Sequence, residues 1–496
     1  MQKTVEETIR IHDKYQFEIK YTYPLDREQP VTEYTVETFI FLPNNLGINQ
    51  LSYSKNDFYR DMQKYIRLKT PVFRLASIVN GADNPLEKVK QTVAALGHNA
   101  NEHTVAEYSY HLKMFCSILK SAIRDEEFFI ENHGQEPGIN ALIESFLKDV
   151  KHIVKSFREL KEIIQEAHID HNNFSFYSFS DEYISLIVEK YLYLLLIFLK
   201  QHKTVTNNKI PELIIQVINS ELEHRKINGY PAIASSAGNN EEVIYRLRIL
   251  KKIMGSILFL TTHTKVEGRL LEQIATGVAA GVAMAFATGF VFLSRNTLQD
   301  LTLSLFLGLV ISYIFKDRIK ELSKLFLLSW LRKYVYDYKT VLCTAMDAEV
   351  GFCRESFAFV PDEKLLPPEI IKIRNKDYIG KLDNGYAPEN IIYSKKQIKV
   401  FQAACEKIFS DFQVDGIHDI IRFNVSGFLN KMDNPRKILF VPDGSDNYRK
   451  IKGDCVYHLN MILKYGMDGN IKYHKFRIVL SRSGIKRIVE IPCDNQ

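Results

Sequence analysis

A chain of 496 residues is long enough for about three domains, each with its own core. Its 46% hydrophobic and 25% charged content excludes a disordered or fibrous polymer, and six cysteines without a CxxC pair exclude a dense disulfide scaffold. The net charge of +6 is uneven: from Lys316 to the C-terminus there are 31 basic and 23 acidic residues, an excess that favours an anionic partner such as a phospholipid surface.

The first residues, MQKTVEETIRIHDKYQFEIKY, contain no apolar run, so no cleavable signal is expected. Tyr15, Phe17, Ile19, Tyr21 and Tyr23 alternate with polar residues, which predicts a half-buried strand. A second strand is expected over Thr32–Leu42, forming with the first a small β unit (residues 1–82) that packs on the helices behind it. From Asn84-Pro85, a cap and first-turn proline, the pattern turns helical to about residue 268. Val105, Tyr108, Leu112, Phe115 and Leu119 form one apolar stripe, and Leu142, Phe146, Val150, Ile153, Phe157, Leu160 and Ile164 form another. Helices are also predicted at about Asp181–His202, Pro211–Lys226 and Glu241–Thr262. The segment 83–268 thus reads as a helical bundle facing the cytosol.

Ile274–Leu293 is uncharged over about 30 Å of helix, the thickness of a bilayer core. A second apolar run, Leu301–Phe315, follows at once, so residues 269–338 read as a transmembrane hairpin with spans near 274–293 and 297–315. An amphipathic extension over Leu322–Tyr336 is expected after it. Lys265 and Arg269 precede the hairpin; Lys316, Arg318, Lys320, Lys324, Arg332 and Lys333 follow it; the short connection offers only Arg295. The positive-inside rule then puts both long flanks and both termini in the cytoplasm. In the first span Gly277, Gly281, Ala285 and Gly289 recur every fourth residue, with Ala275, Ala279, Ala283 and Ala287 beside them. Such ladders let helices approach closely, and the glycine ladder is the expected oligomer contact.

Residues 339–496 read as a basic α+β domain. A capping box, Ser394 with Gln397, predicts a helix carrying Ile398, Phe401, Cys405, Ile408 and Phe412, and a second helix is expected at about Ile417–Met432. Strands at Ile438–Val441, Val456–Tyr465, Ile471–Leu480 and Lys486–Ile491, separated by Asp443-Gly444, Asp468-Gly469 and Ser483-Gly484, predict an antiparallel meander.

No motif with a known catalytic mechanism is present: Gly380-Lys381 lacks a Walker context, and HExxH, GxSxG, GxGxxG and EF-hand patterns are missing. His103, Glu107 and His111 share a helical stripe, but the two histidines stand about 12 Å apart, too far for one ion without ligands from another helix, such as Glu221 and His224. They read better as a polar helix face, and no cofactor is expected. His418-Asp419, Asp443 and Asp446 read as structural. Arg449, Lys450, Lys452, Lys475, Arg477, Arg482, Lys486 and Arg487, interleaved with tyrosines, form the candidate polyanion surface. Lipid is favoured over nucleic acid as its partner. The reading is a membrane-anchored cytoplasmic scaffold or sensor, self-associating or bound to a partner membrane protein; a tethered enzyme on a phosphorylated substrate is the alternative.

Overall fold

A central strand flanked by its own kind on both edges organises the first half of the structure, a computed structural model. It describes residues 5–493 apart from 27, 81–83, 135–137, 167–170, 203–208, 237, 296–302, 332–334, 345–346, 380–388, 409–410, 445–446 and 468–469. The expected outer loop at 296–300, Arg332 and Lys333, Lys381, Asp446 and the Asp468-Gly469 turn lie outside the described residues. The chain is a mixed α and β protein with several sheets, divided into two compact units of interleaved segments. One holds Met1–Tyr65, Thr261–Ile408 and His418–Gln496; the other holds Ile66–Leu260 and Phe409–Ile417.

The strands are β1 (Glu6–Ile11), β2 (Gln16–Pro24), β3 (Val31–Pro43), β4 (Met62–Leu68), β5 (Thr261–Val266), β6 (Tyr338–Cys343), β7 (Glu349–Val360), β8 (Glu389–Phe401), β9 (Gly416–Asn424), β10 (Arg436–Pro442), β11 (Tyr448–Asp454), β12 (Tyr457–Met467), β13 (Asn470–Ser481) and β14 (Gly484–Ile491). An eight-stranded antiparallel sheet runs β14-β13-β12-β3-β8-β7-β6-β5, and a four-stranded sheet runs β1-β2-β9-β4. Because side chains alternate along a strand, β3 packs on both faces. Val36, Thr38 and Ile40 meet Phe17, Ile19 and Tyr21 of β2 and Ile421 and Phe423 of β9 around a void of about 40 Å³. On the other face Phe39 and Phe41 join Leu366, Ile370, Ile391 and Ile462.

The space between the sheets also holds charges. Lys396 Nζ lies 2.5 Å from Asp419 Oδ2, an ion pair outside directed hydrogen-bond geometry, and 3.7 Å from Glu355 Oε1; Lys64 also reaches Glu355. Asp419 is fully buried. Burial pushes its carboxyl up while Lys396 opposes that shift; burial likewise works against the Lys396 ammonium, which Asp419 nonetheless holds charged. At the far edge Glu7 accepts from Tyr465 and lies 2.6 Å from His474 Nδ1.

The second unit is helical: α2 (Pro85–His98), α3 (Glu102–Asn132), α4 (Ile139–Glu166), α5 (His171–His202), α6 (Lys209–Ile227) and α7 (Glu241–Gly255), with α1 (Lys55–Asp61) belonging to the first unit. Asn84 caps α2 with Pro85 at its first turn, as the sequence implies. The stripes of α3 and α4 meet in a ring stack: Phe115 and Phe157 stand 5.2 Å apart and Phe157 and Tyr177 5.3 Å, nearly parallel. The ends of the helical insertion are tied, Leu260 N–H donating to the Ile66 carbonyl.

Four expectations change. The strands expected at Tyr15–Tyr23 and Thr32–Leu42 do not pair with each other, because β2 and β3 lie in different sheets and β2 pairs with β1. The helix expected from Ser394 begins as strand β8, held on both edges by β3 and β7, and turns helical only over Gln402–Ile408, and the helix expected at Ile417–Met432 begins as β9. The helix expected over Glu241–Thr262 stops at Gly255, and Thr261–Val266 is a strand. Finally, among the described residues one helix, α8 (Arg269–Arg295), is long and apolar enough to cross a membrane. Its neighbour α9 (Leu303–Leu331) has about 20 Å of uncharged helix before Lys316, short of a full span.

Removing one member of the buried ion pair strands the other. Asp419→Leu or Lys396→Met alone should lower stability by about 3–5 kcal/mol in urea unfolding followed by circular dichroism, and the double variant should recover most of it. The Glu7–His474 pair predicts a pH signature. Its hydrogen bond to Glu7 raises His474 above the ordinary histidine value, with burial opposing. That contribution is therefore complete below about pH 6.5 and lost as pH rises through the elevated folded value. His474→Gln should flatten the decline in stability that begins above about pH 6.5.

Candidate functional site

Helix α8 is apolar yet poorly covered. Only 11% of its most apolar 18-residue stretch is buried, and Val278, Val282, Met284, Phe292 and Leu293 face outward. The two small-residue ladders separate cleanly. Ala275, Ala279 and Ala283 are buried against the adjacent α9, whereas a side chain added at Gly277, Gly281 or Gly289 would meet nothing, and Ala285 is exposed. Both helices spring from one sheet edge: β5 leads into α8, α9 returns into β6, and Val266 pairs with Tyr338. The left-handed backbone of Gly268 makes the turn between β5 and α8, with the Val335 side chain against it.

The candidate polyanion residues are not one surface. Arg449, Lys450 and Lys452 lie exposed on β11, which pairs only with β10 in a separate two-stranded sheet. Lys475 and Arg477 are buried on β13: Lys475 Nζ lies 2.5 Å from Asp377 Oδ1 and donates to the Arg374 carbonyl at 2.8 Å, and Arg477 binds Asp377 and Asn460. They neutralise a part-buried carboxylate. On the edge strand β14 and its turn, Arg482, Lys486 and Arg487 are exposed, with Lys486 on Asp454 at 3.0 Å.

The histidine stripe on α3 also diverges. His103 Nδ1 lies 3.6 Å from Glu107 on the exposed face, while His111 is buried with Nε2 3.6 Å from Asp411. Glu221 and His224 belong to a different cluster. Arg158 spans Glu221 (3.0 and 2.7 Å) and Asp181 (3.1 Å), and Asp181 also accepts from Tyr230 at 2.9 Å and faces His224 Nε2 at 2.7 Å. Burial pushes the Asp181 carboxyl up, but His224 and Arg158 together bring it below its ordinary value. Arg158 and Glu221 also line a cavity of about 420 Å³ with Lys151, Lys155, Glu159 and Glu162. With every inner charge already paired, the cluster reads as a structural brace.

Among the described residues, one group has donors close enough to share an ion. His263 Nε2, Cys343 Sγ and an Asp347 carboxylate oxygen lie within 4.8 Å of one another, with His263 and Asp347 3.3 Å apart. Strand pairing puts His263 and Cys343 on one face of β5 and β6. Asp347 reaches them from the following turn, where its backbone is left-handed (φ 59°). The Cys343 thiol is buried, and burial followed by the carboxylates of Asp347 and Glu349 raises it. The sequence carries no spacing signal for this group, since about 80 residues separate His263 from the other two. All six cysteines are free and four are buried.

No family model matches the chain, and neither a curated protein nor a solved structure does.

The brace predicts its own energetics. Asp181→Asn should lower the stability of the helical unit by about 2–4 kcal/mol in urea unfolding, because Arg158 and His224 lose a buried partner. Asp125→Asn, which disturbs only exposed contacts with Arg124 and Ser121, should change it by less than about 0.5 kcal/mol.

Proposed function

We propose that the chain is a membrane-anchored interaction or scaffold protein whose soluble parts share one face of the bilayer and which self-associates through α8. The exposed apolar surface of α8 carries this reading. Val278, Val282, Met284 and Phe292 are each at least 49% exposed on a helix of bilayer length, an arrangement that water penalises and lipid does not. In this reading α8 crosses the bilayer and the apolar half of α9 returns beside it. The pairing of Val266 with Tyr338 favours same-side flanks, since both ends of the hairpin meet at one sheet edge. The basic residues beyond Phe315 suit a cytoplasmic anionic leaflet.

Self-association rests on the free glycine face. With the alanine ladder occupied by α9, Gly277, Gly281, Ala285 and Gly289 remain to meet a second copy or a partner membrane helix. On α5, Tyr193, Leu194 and Ile197 are 39–50% exposed, which also suits protein contact. The tethered-enzyme alternative is weakened by the burial of Lys475 and Arg477, which leaves Arg449, Lys450, Lys452, Arg482, Lys486 and Arg487 as a dispersed basic surface better matched to lipid headgroups.

Two experiments test the proposal. The protein should resist alkaline extraction from membranes, and Val278→Arg with Val282→Arg should shift it toward the extractable fraction, each arginine costing about 2.5–3.5 kcal/mol near the bilayer centre. Recovery of the native chain in the extractable fraction would refute anchoring. In native mass spectrometry from mild detergent, Gly277→Leu with Gly281→Leu should convert an oligomer to a monomer that stays in the membrane; an unchanged oligomer would refute this interface.

A further inference from the structure

We propose that His263, Cys343 and Asp347 form a divalent metal site for zinc at the end of the β5–β6 pair away from the apolar hairpin. Their donor set is the argument. Imidazole nitrogen, thiolate sulfur and carboxylate oxygen together suit a borderline ion such as zinc, whereas calcium and magnesium take all-oxygen sets. The spacing suits it as well. Tetrahedral zinc, with bonds of about 2.0–2.3 Å, separates neighbouring donors by roughly 3.3–3.6 Å. His263 and Asp347 stand 3.3 Å apart, and no pair in the group exceeds 4.8 Å, so side-chain rotation of about 1 Å brings all three onto one ion.

The backbone delivers the donors independently of any metal. His263 lies on the edge strand β5, and Cys343 ends β6 at a point where its register with β7 shifts. Asp347 is pinned in the connecting turn, its N–H donating to the Thr344 carbonyl at 3.0 Å, while the Thr344 N–H donates to the Ala348 carbonyl at 2.9 Å. Aspartate tolerates this left-handed conformation better than most residues. Buried Cys343 would form the floor, and exposed His263 and Asp347 the two outer ligands, leaving the fourth position to water. An ion there would bind the edge strand to the β6–β7 turn, at the end of the strand pair opposite the Gly268 bend into α8. The site does not depend on the membrane reading.

The test uses the full-length protein, purified in mild detergent with a reductant, stripped with chelator and titrated with Co(II). A sulfur-to-cobalt charge-transfer band should grow to one equivalent and be abolished by Zn(II). Cys343→Ala should remove the band. His263→Ala and Asp347→Asn, both at exposed positions that leave the core intact, should weaken zinc binding by at least about 100-fold, the upper range for lost outer-shell partners. No band in the folded wild-type protein, or a band that survives Cys343→Ala, would overturn the assignment. So would zinc affinity unchanged in both His263→Ala and Asp347→Asn.

Discussion

Everything in the first unit depends on β3 being sandwiched edge to edge between β8 and β12. A strand near the N-terminus waits for partners some 350 and 420 residues later, so all that lies between is inserted into one antiparallel framework. The two faces of β3 then decide the packing. Val36 and Ile40 close the space against the smaller sheet, while Phe39 and Phe41 make the outer core. The ion pair of Lys396 and Asp419 sits in the first of these layers. Burying charge there contributes little net stability against an apolar alternative, but a mispaired strand would leave either charge without its partner.

The same logic places the apolar hairpin. It is the connection between two paired strands, β5 and β6, so its entry and exit are neighbours by construction. A connection that leaves and returns at one sheet edge carries its flanks together. The division of labour between the ladders follows from helix geometry. Ala275, Ala279 and Ala283 recur every fourth residue and face α9, and Gly277, Gly281 and Ala285 lie on a different face. Pairing within the hairpin thus leaves a second close-approach surface unused.

Much of this was legible in residue order, and the failures share a cause. Phe17, Ile19, Tyr21 and Tyr23 alternate cleanly, and all four are buried as that pattern implies. The β13–β14 turn and the capped α2 follow from equally local signals. Strand β8 misleads because Ile398 and Phe401 run on at helical spacing into Cys405 of the short helix Gln402–Ile408, while Lys396, at a core-facing position, breaks the alternation that would have betrayed a strand. Only the distant carboxylate Asp419 makes that lysine acceptable, and nothing local reveals it. The basic residues of β13 mislead for the opposite reason: Lys475 and Arg477 look like surface charge until Asp377 is found beside them. His263, Cys343 and Asp347 escape notice altogether, because strand pairing and a turn, not sequence spacing, bring them together.

The most direct measurement of the central claim is two-sided accessibility in sealed vesicles, with epitope tags at the N- and C-termini and a single thiol-reactive cysteine introduced in the connection at 296–300. Both tags should be digested by protease from the same side, and the introduced cysteine should react with a membrane-impermeant reagent only from the opposite side. Tags on opposite sides, or a connection labelled from the same side as the tags, would contradict the membrane-crossing hairpin.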